Sequence, residues 1–172
     1  MLETIRYAFG QSSLGDFLAA SSERGLVAFE FTDRGVAILD TVRDRFPAAS
    51  LEEDRGGLAD VVARLAALVD HPEIDPGLAL DPRGSDYQKR VWSLLREIPS
   101  GQTTSYGALA ATLGTRDARD VTEAIASNAI AILIPCHRVV KKDGSLAGYR
   151  WGFRRKRALL EREREAAPFR LA

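Results

Sequence analysis

Residues 128–140 are Asn-Ala-Ile-Ala-Ile-Leu-Ile-Pro-Cys-His-Arg-Val-Val, an apolar run that ends in a proline, a cysteine and two basic residues. The apolar part predicts a buried strand. Pro135 has no N–H group, so we expect it to interrupt the strand hydrogen bonds just before Cys136. His137 and Arg138 place a base and a fixed cation beside the thiol, a combination that lowers the pKa of a cysteine. This stretch makes Cys136 a candidate nucleophile.

A free cysteine is usually a small core residue, and the residues alone leave that alternative open for Cys136. Neighbouring side chains of a regular strand point to opposite faces, so Cys136 and His137 need a bend after Pro135 or a bridging water to act together. The chain has one cysteine and two histidines. This excludes an intrachain disulfide and argues against a structural zinc site. We therefore expect neither a metal nor another cofactor.

The second half of the chain begins with three predicted helices. We expect them over residues 85–98, 105–113 and 117–127. Ser85 and Gln88 fit the capping-box pattern at the start of the first helix. Thr104 or Ser105 caps the second helix, and Gly114 makes the turn that follows it. Two short helices joined by a glycine turn are typical of a helix-turn-helix, which by itself indicates DNA binding only weakly.

The first half of the chain predicts a small α/β unit. Alternating apolar residues indicate strands over residues 5–9, 16–21 and 25–31, in an antiparallel meander. Asp33 is the expected cap of a helix that reaches about Phe46, and a second helix is expected over residues 57–69. A proline-containing connection then precedes residue 85. We expect an N-terminal domain over residues 1–84 and a C-terminal domain over residues 85–172.

The charge of the chain is divided between these halves. Residues 1–84 carry 8 Lys and Arg against 15 Asp and Glu, a net charge of −7, and residues 85–172 carry 16 against 9, a net charge of +7. The basic half predicts an anionic partner, although the two halves could simply attract each other. No apolar run has the length of a membrane span, and the first residues lack a secretory signal. We expect a cytoplasmic protein.

The motif around the cysteine resembles the O6-alkylguanine-DNA alkyltransferase family. It comprises Asn128, residues 135–140 and residues 144–149, and the similarity extends over residues 85–170. The resemblance implies an α+β fold: a small N-terminal ribonuclease-H-like α/β domain and a mostly helical, winged-helix-like C-terminal domain with the helix-turn-helix. The chain is similar to the short, stand-alone bacterial form, without the zinc-binding regulatory domain that some relatives carry.

The resemblance implies direct DNA repair. Members transfer the alkyl group of O6-alkylguanine, and in some cases O4-methylthymine, from double-stranded DNA to the cysteine, irreversibly and once per molecule. Cys136 is then the acceptor, His137 activates its thiol through a water, and Glu163 orients His137. Without the resemblance, the charged run around Glu163 favours a solvated helix face. We expect a monomer that needs no cofactor.

The resemblance also assigns residues around the nucleophile. Asn128 braces the turn behind the helix-turn-helix, Tyr106 meets a phosphate and the guanine ring, and Arg119 enters the duplex in place of the flipped nucleotide. The implied DNA contacts are Ser105, Tyr106, Arg119 and Arg138, and the implied pocket residues are Val139, Gly148, Tyr149, Arg150 and Trp151. Glycines let the backbone approach the flipped base closely, and an aromatic ring provides a surface on which the base can stack.

Some residues depart from the family pattern. Asp120 and Glu123 place negative charge on the third predicted helix (residues 117–127), the recognition helix of the helix-turn-helix, where it repels phosphate. Ala131, Arg150 and Trp151 differ from mammalian relatives, and we expect the two bulky residues to obstruct a benzyl group.

Two other functions stay open on the residues alone. The first is a non-catalytic module that binds DNA lesions, but in such members the cysteine is replaced. The second is a cysteine hydrolase that uses Cys136, His137 and Glu163. A hydrolase would catalyse many turnovers, and a DNA-binding helix would have no role in its reaction.

Overall fold

The computed structural model describes residues 2–114, 117–146 and 148–167. Its main sheet contains β1 (Glu3–Ser12), β2 (Gly15–Ser21), β3 (Leu26–Phe31) and β4 (Ala49–Glu53), in the order β3-β2-β1-β4. The predicted antiparallel meander of β1, β2 and β3 is confirmed. β4 pairs parallel with β1 and was not predicted, because its sequence is short and mostly polar.

Two helices flank this sheet, α1 (Ile38–Arg45) and α2 (Ala59–Asp70). The expected cap at Asp33 is wrong: α1 begins after a short 3-10 turn, and the Asp33 carboxylate instead pairs with Arg155 at 2.8 Å. α2 packs closely on β1 at Gly10. A Cβ atom there would lie 2.4 Å from the Phe17 ring and 2.7 Å from Val62, so only glycine permits this approach.

The C-terminal part is mostly helical. Its helices are α3 (Asp86–Arg96), α4 (Tyr106–Leu113), α5 (Ala118–Ala126) and α6 (Phe153–Ala166), and a short parallel pair joins β5 (Thr104–Ser105) to β6 (Val139–Val140). The capping box is confirmed, with the Gln88 N–H donating to Ser85 Oγ at 3.1 Å. Ser105 caps α4, and Gly114 ends it in the left-handed conformation with φ of 72°. The predicted helix-turn-helix is α4 and α5.

The strand predicted before Pro135 does not form, except for a single bridge at Ile130. Ile130 forms a single parallel bridge with Phe29 of β3, after which the chain turns. Ile132 adopts φ of 65°, a left-handed conformation that β-branched residues avoid. Ile130 and Ile134 are nevertheless buried, which explains the apolar pattern. The same pattern fits a buried turn as well as a buried strand, because both hide apolar side chains.

One apolar core crosses the expected domain boundary. Phe17 and Phe29 of the sheet belong to the same cluster as Leu95 of α3 and Leu159 of α6. Ion pairs also join the halves, including Arg155 with Asp33 and Arg162 with Asp70, the latter at 3.9 Å. These pairs join carboxylates of the acidic half to arginines of the basic half. Within the described ranges, no helix is both long and apolar enough to cross a membrane.

Candidate active site

Asn128 fixes the turn that carries Cys136. Cys136 begins a 3-10 turn that runs to Arg138, and its residue surface is 5% exposed. The Asn128 side chain donates to the Ile134 carbonyl at 2.8 Å and to Cys136 Sγ at 3.4 Å, and its Oδ1 accepts from the Ile130 N–H at 2.9 Å. One buried amide therefore satisfies the backbone of the turn and holds the thiol.

The 3-10 turn removes the constraint expected for Cys136 and His137 on a strand. They do not lie on a strand, so their side chains need not point to opposite faces. His137 is fully buried, and its Nε2 is hydrogen-bonded to Glu163 Oε1 on α6. The carboxylate can only accept, so Nε2 carries the proton and Nδ1 keeps its lone pair. Nδ1 is buried and has no hydrogen-bond partner among the described residues.

Burial determines the resting charge of both groups. Burial lowers the pKa of His137 against the opposing effect of Glu163, so the imidazole is neutral at pH 7. Burial also raises the pKa of the Cys136 thiol to about 11, although the Asn128 hydrogen bond and the charges of Lys156 and Arg150 oppose this shift. The expected lowering of the thiol pKa is therefore wrong for the free protein, whose sulfur is protonated.

Arg138 is buried behind the histidine. Its Nε donates to Glu163 Oε2 at 2.7 Å, and its Nη1 donates to the Ile98 carbonyl at 2.7 Å. This placement does not fit the predicted DNA contact, because the guanidinium is already engaged inside the protein. Burial alone would raise the pKa of Glu163, but the hydrogen bonds from His137 and Arg138 keep it below its ordinary value. Glu163 is therefore ionised.

Lys156 is a site residue that the sequence reasoning missed. It is fully buried on α6, and its Nζ donates to the Val139 carbonyl at 2.6 Å. Its positive charge favours the thiolate of Cys136. Lys156, Leu159 and Glu163 follow one another at helical spacing on the buried face of α6. That spacing was the available signal, and the many charges around it concealed the face.

A cavity of about 430 Å³ lies in front of the thiol. Its lining on the side of the cysteine consists of Tyr106, Cys136, Lys141, Gly148, Tyr149 and Arg150. Thr122, Ile125 and Ala126 of α5 complete the opposite side. The volume is that of an ordinary small-molecule site. No group of three or more His, Cys, Asp and Glu side chains within the described ranges is arranged to hold a metal ion.

The pocket residues expected from the sequence divide into two groups. Gly148, Tyr149 and Arg150 line the cavity, and the hydroxyl of Tyr149 is buried without a hydrogen-bond partner in the described structure. Val139 and Trp151 do not belong to its lining. Val139 is buried in β6, and the Trp151 ring packs against Phe31 and Tyr149, with centroid separations of 6.5 and 5.3 Å.

The helix-turn-helix residues lie at the helix starts. Tyr106 is the first residue of α4, is half-buried, and burial raises its pKa. Ser105 directs its hydroxyl to the Ala108 N–H as the cap of α4. Arg119 lies in the first turn of α5, with 88% of its side chain exposed and a hydrogen bond to Asp117. Arg119 is thus presented outward, beside the cavity wall that α5 supplies.

Comparisons with known proteins agree with this geometry. The family model of the "6-O-methylguanine DNA methyltransferase, DNA binding domain" matches residues 86–165. The chain is 42% identical to the bifunctional transcriptional activator/DNA repair enzyme Ada of Escherichia coli, over 94% of this chain and 46% of Ada. The crystal structure of Mycobacterium tuberculosis OGT in complex with DNA superposes with a TM-score of 0.75 at 35% identity, covering 96% of this chain and 95% of OGT.

The chain spans about half the length of Ada but most of the length of a shorter relative. It is 35% identical to the inducible methylated-DNA–protein-cysteine methyltransferase of Bacillus subtilis, over 88% of this chain and 86% of that protein. This match covers both the sheet and the helical part. The chain therefore belongs to the methylated-DNA–protein-cysteine methyltransferase family.

Proposed function

We propose that this chain repairs DNA by transferring the alkyl group of O6-alkylguanine in double-stranded DNA to Cys136 Sγ. The transfer is irreversible, occurs once per molecule and uses no cofactor, and the same site accepts the methyl group of O4-methylthymine. The observation that carries the proposal is a buried thiol that lines a cavity walled by the second helix of a helix-turn-helix. A site of this kind can hold one base beside a bound duplex.

The buried His137 removes the thiol proton. Its Nδ1 has the free lone pair, and the proton passes to it from Cys136 through a water, as the family resemblance implies. Ionised Glu163 stabilises the resulting imidazolium, and Arg138 holds Glu163 in place. The sulfur then attacks the alkyl carbon. The new C–S bond forms as the bond between that carbon and guanine O6 breaks, and the electron pair stays with the base. Guanine N1 takes up a proton from water, and the His137 imidazolium releases the former thiol proton to water.

We further propose that the target base leaves the duplex before transfer. Cys136 is 5% exposed, so a stacked base cannot reach it. Inside the cavity, the unpaired hydroxyl of Tyr149 offers a donor to the base, and Gly148 allows close approach. Arg119 is exposed on α5 and fills the gap that the base leaves. We also propose that the protein acts as a monomer, since one thiol and one recognition helix complete the site. It acts on chromosomal DNA in the cytoplasm.

The decisive test is the intact mass of the protein after it is mixed with a duplex that contains one O6-methylguanine. We expect each molecule to gain one methyl group in place of a hydrogen, with peptide mapping to Cys136. Cys136→Ala should gain none and should bind the duplex within a few-fold of wild type, because phosphate contacts come from other residues.

The same experiment separates the other candidate functions. An unchanged mass with tight binding would indicate a non-catalytic lesion-binding module, and turnover of an ester or amide would indicate a hydrolase. Methylation of the Cys136→Ala variant would exclude Cys136 as the acceptor.

A further inference from the structure

Arg150 lies on the boundary between two cavities. It lines the cavity in front of Cys136, and it also lines a second cavity of about 430 Å³ at the junction of the sheet and the C-terminal part. Glu30, Ile38 and Trp151 belong to this second lining. Arg150 is the one described residue that the two linings share. The Arg150 side chain therefore separates the cavity in front of Cys136, which takes the substrate, from the second cavity of about equal volume.

Glu30 holds Arg150 at this boundary. Glu30 lies in β3, its side chain is 3% exposed, and its Oε1 accepts from Arg150 Nε at 2.9 Å and pairs with Nη2 at 2.8 Å. Arg150 Nη1 also donates to the carbonyl of Ala126 on α5 at 3.3 Å. The arginine is thus fixed between the sheet of one half and the recognition helix of the other.

Burial of the carboxylate stabilises this contact. The second oxygen of Glu30 pairs with Arg45 at 3.3 Å, so both oxygens have cationic partners. A buried carboxylate that loses a partner carries a large desolvation penalty. Displacement of Arg150 would leave one buried oxygen of Glu30 without its cation, so the carboxylate favours the position of Arg150 between the two cavities.

We propose that Glu30 is a specificity-determining residue of the N-terminal half: by holding Arg150 between the two cavities, it restricts transfer to small alkyl groups. The inference rests on the proposed function, since it concerns the group that Cys136 accepts. The alkyl carbon must face the sulfur, so any larger substituent extends to the cavity wall. Release of Arg150 joins the two cavities and makes room for a ring. Because Trp151 lies outside the active cavity, the obstruction falls on Arg150.

The test is a competition between two duplexes, one carrying O6-methylguanine and one carrying O6-benzylguanine. Glu30→Gln and Arg150→Ala should each raise the benzyl-to-methyl ratio of second-order rate constants by about tenfold, the range in which a pocket discriminates by size. The double variant should show no further increase over Arg150→Ala, because Glu30 acts through Arg150. Asp33→Asn is the matched control, since it removes another ion pair between the halves and leaves Arg150 in place.

The outcomes separate this inference from the proposed function. An unchanged ratio in Glu30→Gln with intact methyl transfer overturns the role of Glu30, and so does an equal rise in Asp33→Asn. Absence of methyl transfer in the wild type overturns the proposed function instead. If Glu30→Gln does not fold, Arg150→Ala decides, because an unchanged ratio there removes the wall on which the inference depends.

Discussion

At the scale of single residues, burial determines the chemistry of the site. The thiol of Cys136 has a pKa raised to about 11, and the pKa of His137 is lowered, so both groups are neutral at rest. A buried neutral pair needs no counter-charge of its own. The protonated sulfur is also unreactive until a base removes its proton. This is the step that we propose for His137, with Glu163 stabilising the imidazolium.

The first prediction at this scale concerns proton transfer. His137→Ala should slow single-turnover methyl transfer by about ten- to ten-thousand-fold, the usual contribution of a general base. Glu163→Gln should slow it less, because Glu163 acts through His137. The rates are measured by quenched flow across a range of pH, with exposed His71 replaced by alanine as the control. Unaltered pH–rate profiles in both site variants would remove the pair from the mechanism.

A second prediction concerns stability against acid. The unfolded chain protonates His137 near its ordinary pKa of 6.5, whereas the folded protein keeps it neutral to lower pH. The unfolded state then binds more protons, so the free energy of unfolding should fall as the pH drops below about 6.5. Glu163, whose folded pKa is lowered from 4.5, should add a further loss below that pH.

Urea unfolding at about pH 8 and about pH 5 measures the first of these losses. His137→Gln should lose less stability between the two conditions than wild type, and His71→Gln should match wild type. Equal losses in all three proteins would show that His137 is not the responsible group.

At the scale of elements, α5 combines a cavity wall with an exposed, charged first turn. Ile125 and Ala126 line the cavity, while Arg119 is exposed in the first turn. Asp120 and Glu123 are also exposed on this helix, so it carries negative charge toward solvent. Arg119 is the one cation among the residues of this helix, so the predicted DNA contact of α5 depends on it.

The prediction at this scale concerns extrusion of the target base. Flipping a paired base costs a few kcal/mol, and a free base costs none. Arg119→Ala should therefore slow repair of O6-methylguanine in a duplex much more than attack on the free base, and Arg119→Lys should recover part of the loss. Single-turnover rates on the two substrates give the comparison. Equal losses on both would assign Arg119 a structural role.

At the scale of the whole molecule, one large apolar cluster spans the two halves. Phe29 of β3 packs in the same cluster as Leu95 and Leu159, and its backbone pairs with residues 129 and 131 beside the active-site turn. The sheet thus supports the turn that carries the nucleophile. Separation of the halves would expose apolar surface on both.

This arrangement predicts a single cooperative unfolding transition. Far-UV circular dichroism reports the whole backbone, and tryptophan fluorescence reports Trp92 and Trp151 of the second half. The two denaturation curves should coincide. Phe29→Ala should shift both midpoints together and destabilise the protein by about 3–5 kcal/mol, as for other large-to-small changes in a core. Two separate transitions would show that residues 1–84 and 85–172 fold independently.

Local signals in the sequence predicted the helical part and the nucleophile. Ser85, Ser105 and Asp117 cap their helices, and Gly114 ends α4, because capping and left-handed turns depend on a few neighbouring residues. The motif at Cys136 was likewise contiguous. A buried strand and a buried turn both require a run of apolar residues. The sequence before Pro135 therefore did not distinguish between them.

The sequence by itself determined the helix-turn-helix and made Cys136 the candidate nucleophile, and only the tertiary structure decided the pKa of that thiol and the walls of the cavity in front of it. Glu30 and Arg150 are 120 residues apart in the chain, and no local pattern relates them. Arg138 was expected to contact DNA and Lys156 was not expected at the site, yet both are buried and donate to backbone carbonyls. The physical reason is that a pKa, or the direction of an arginine, depends on burial and on distant partners, which exist only once the chain has folded.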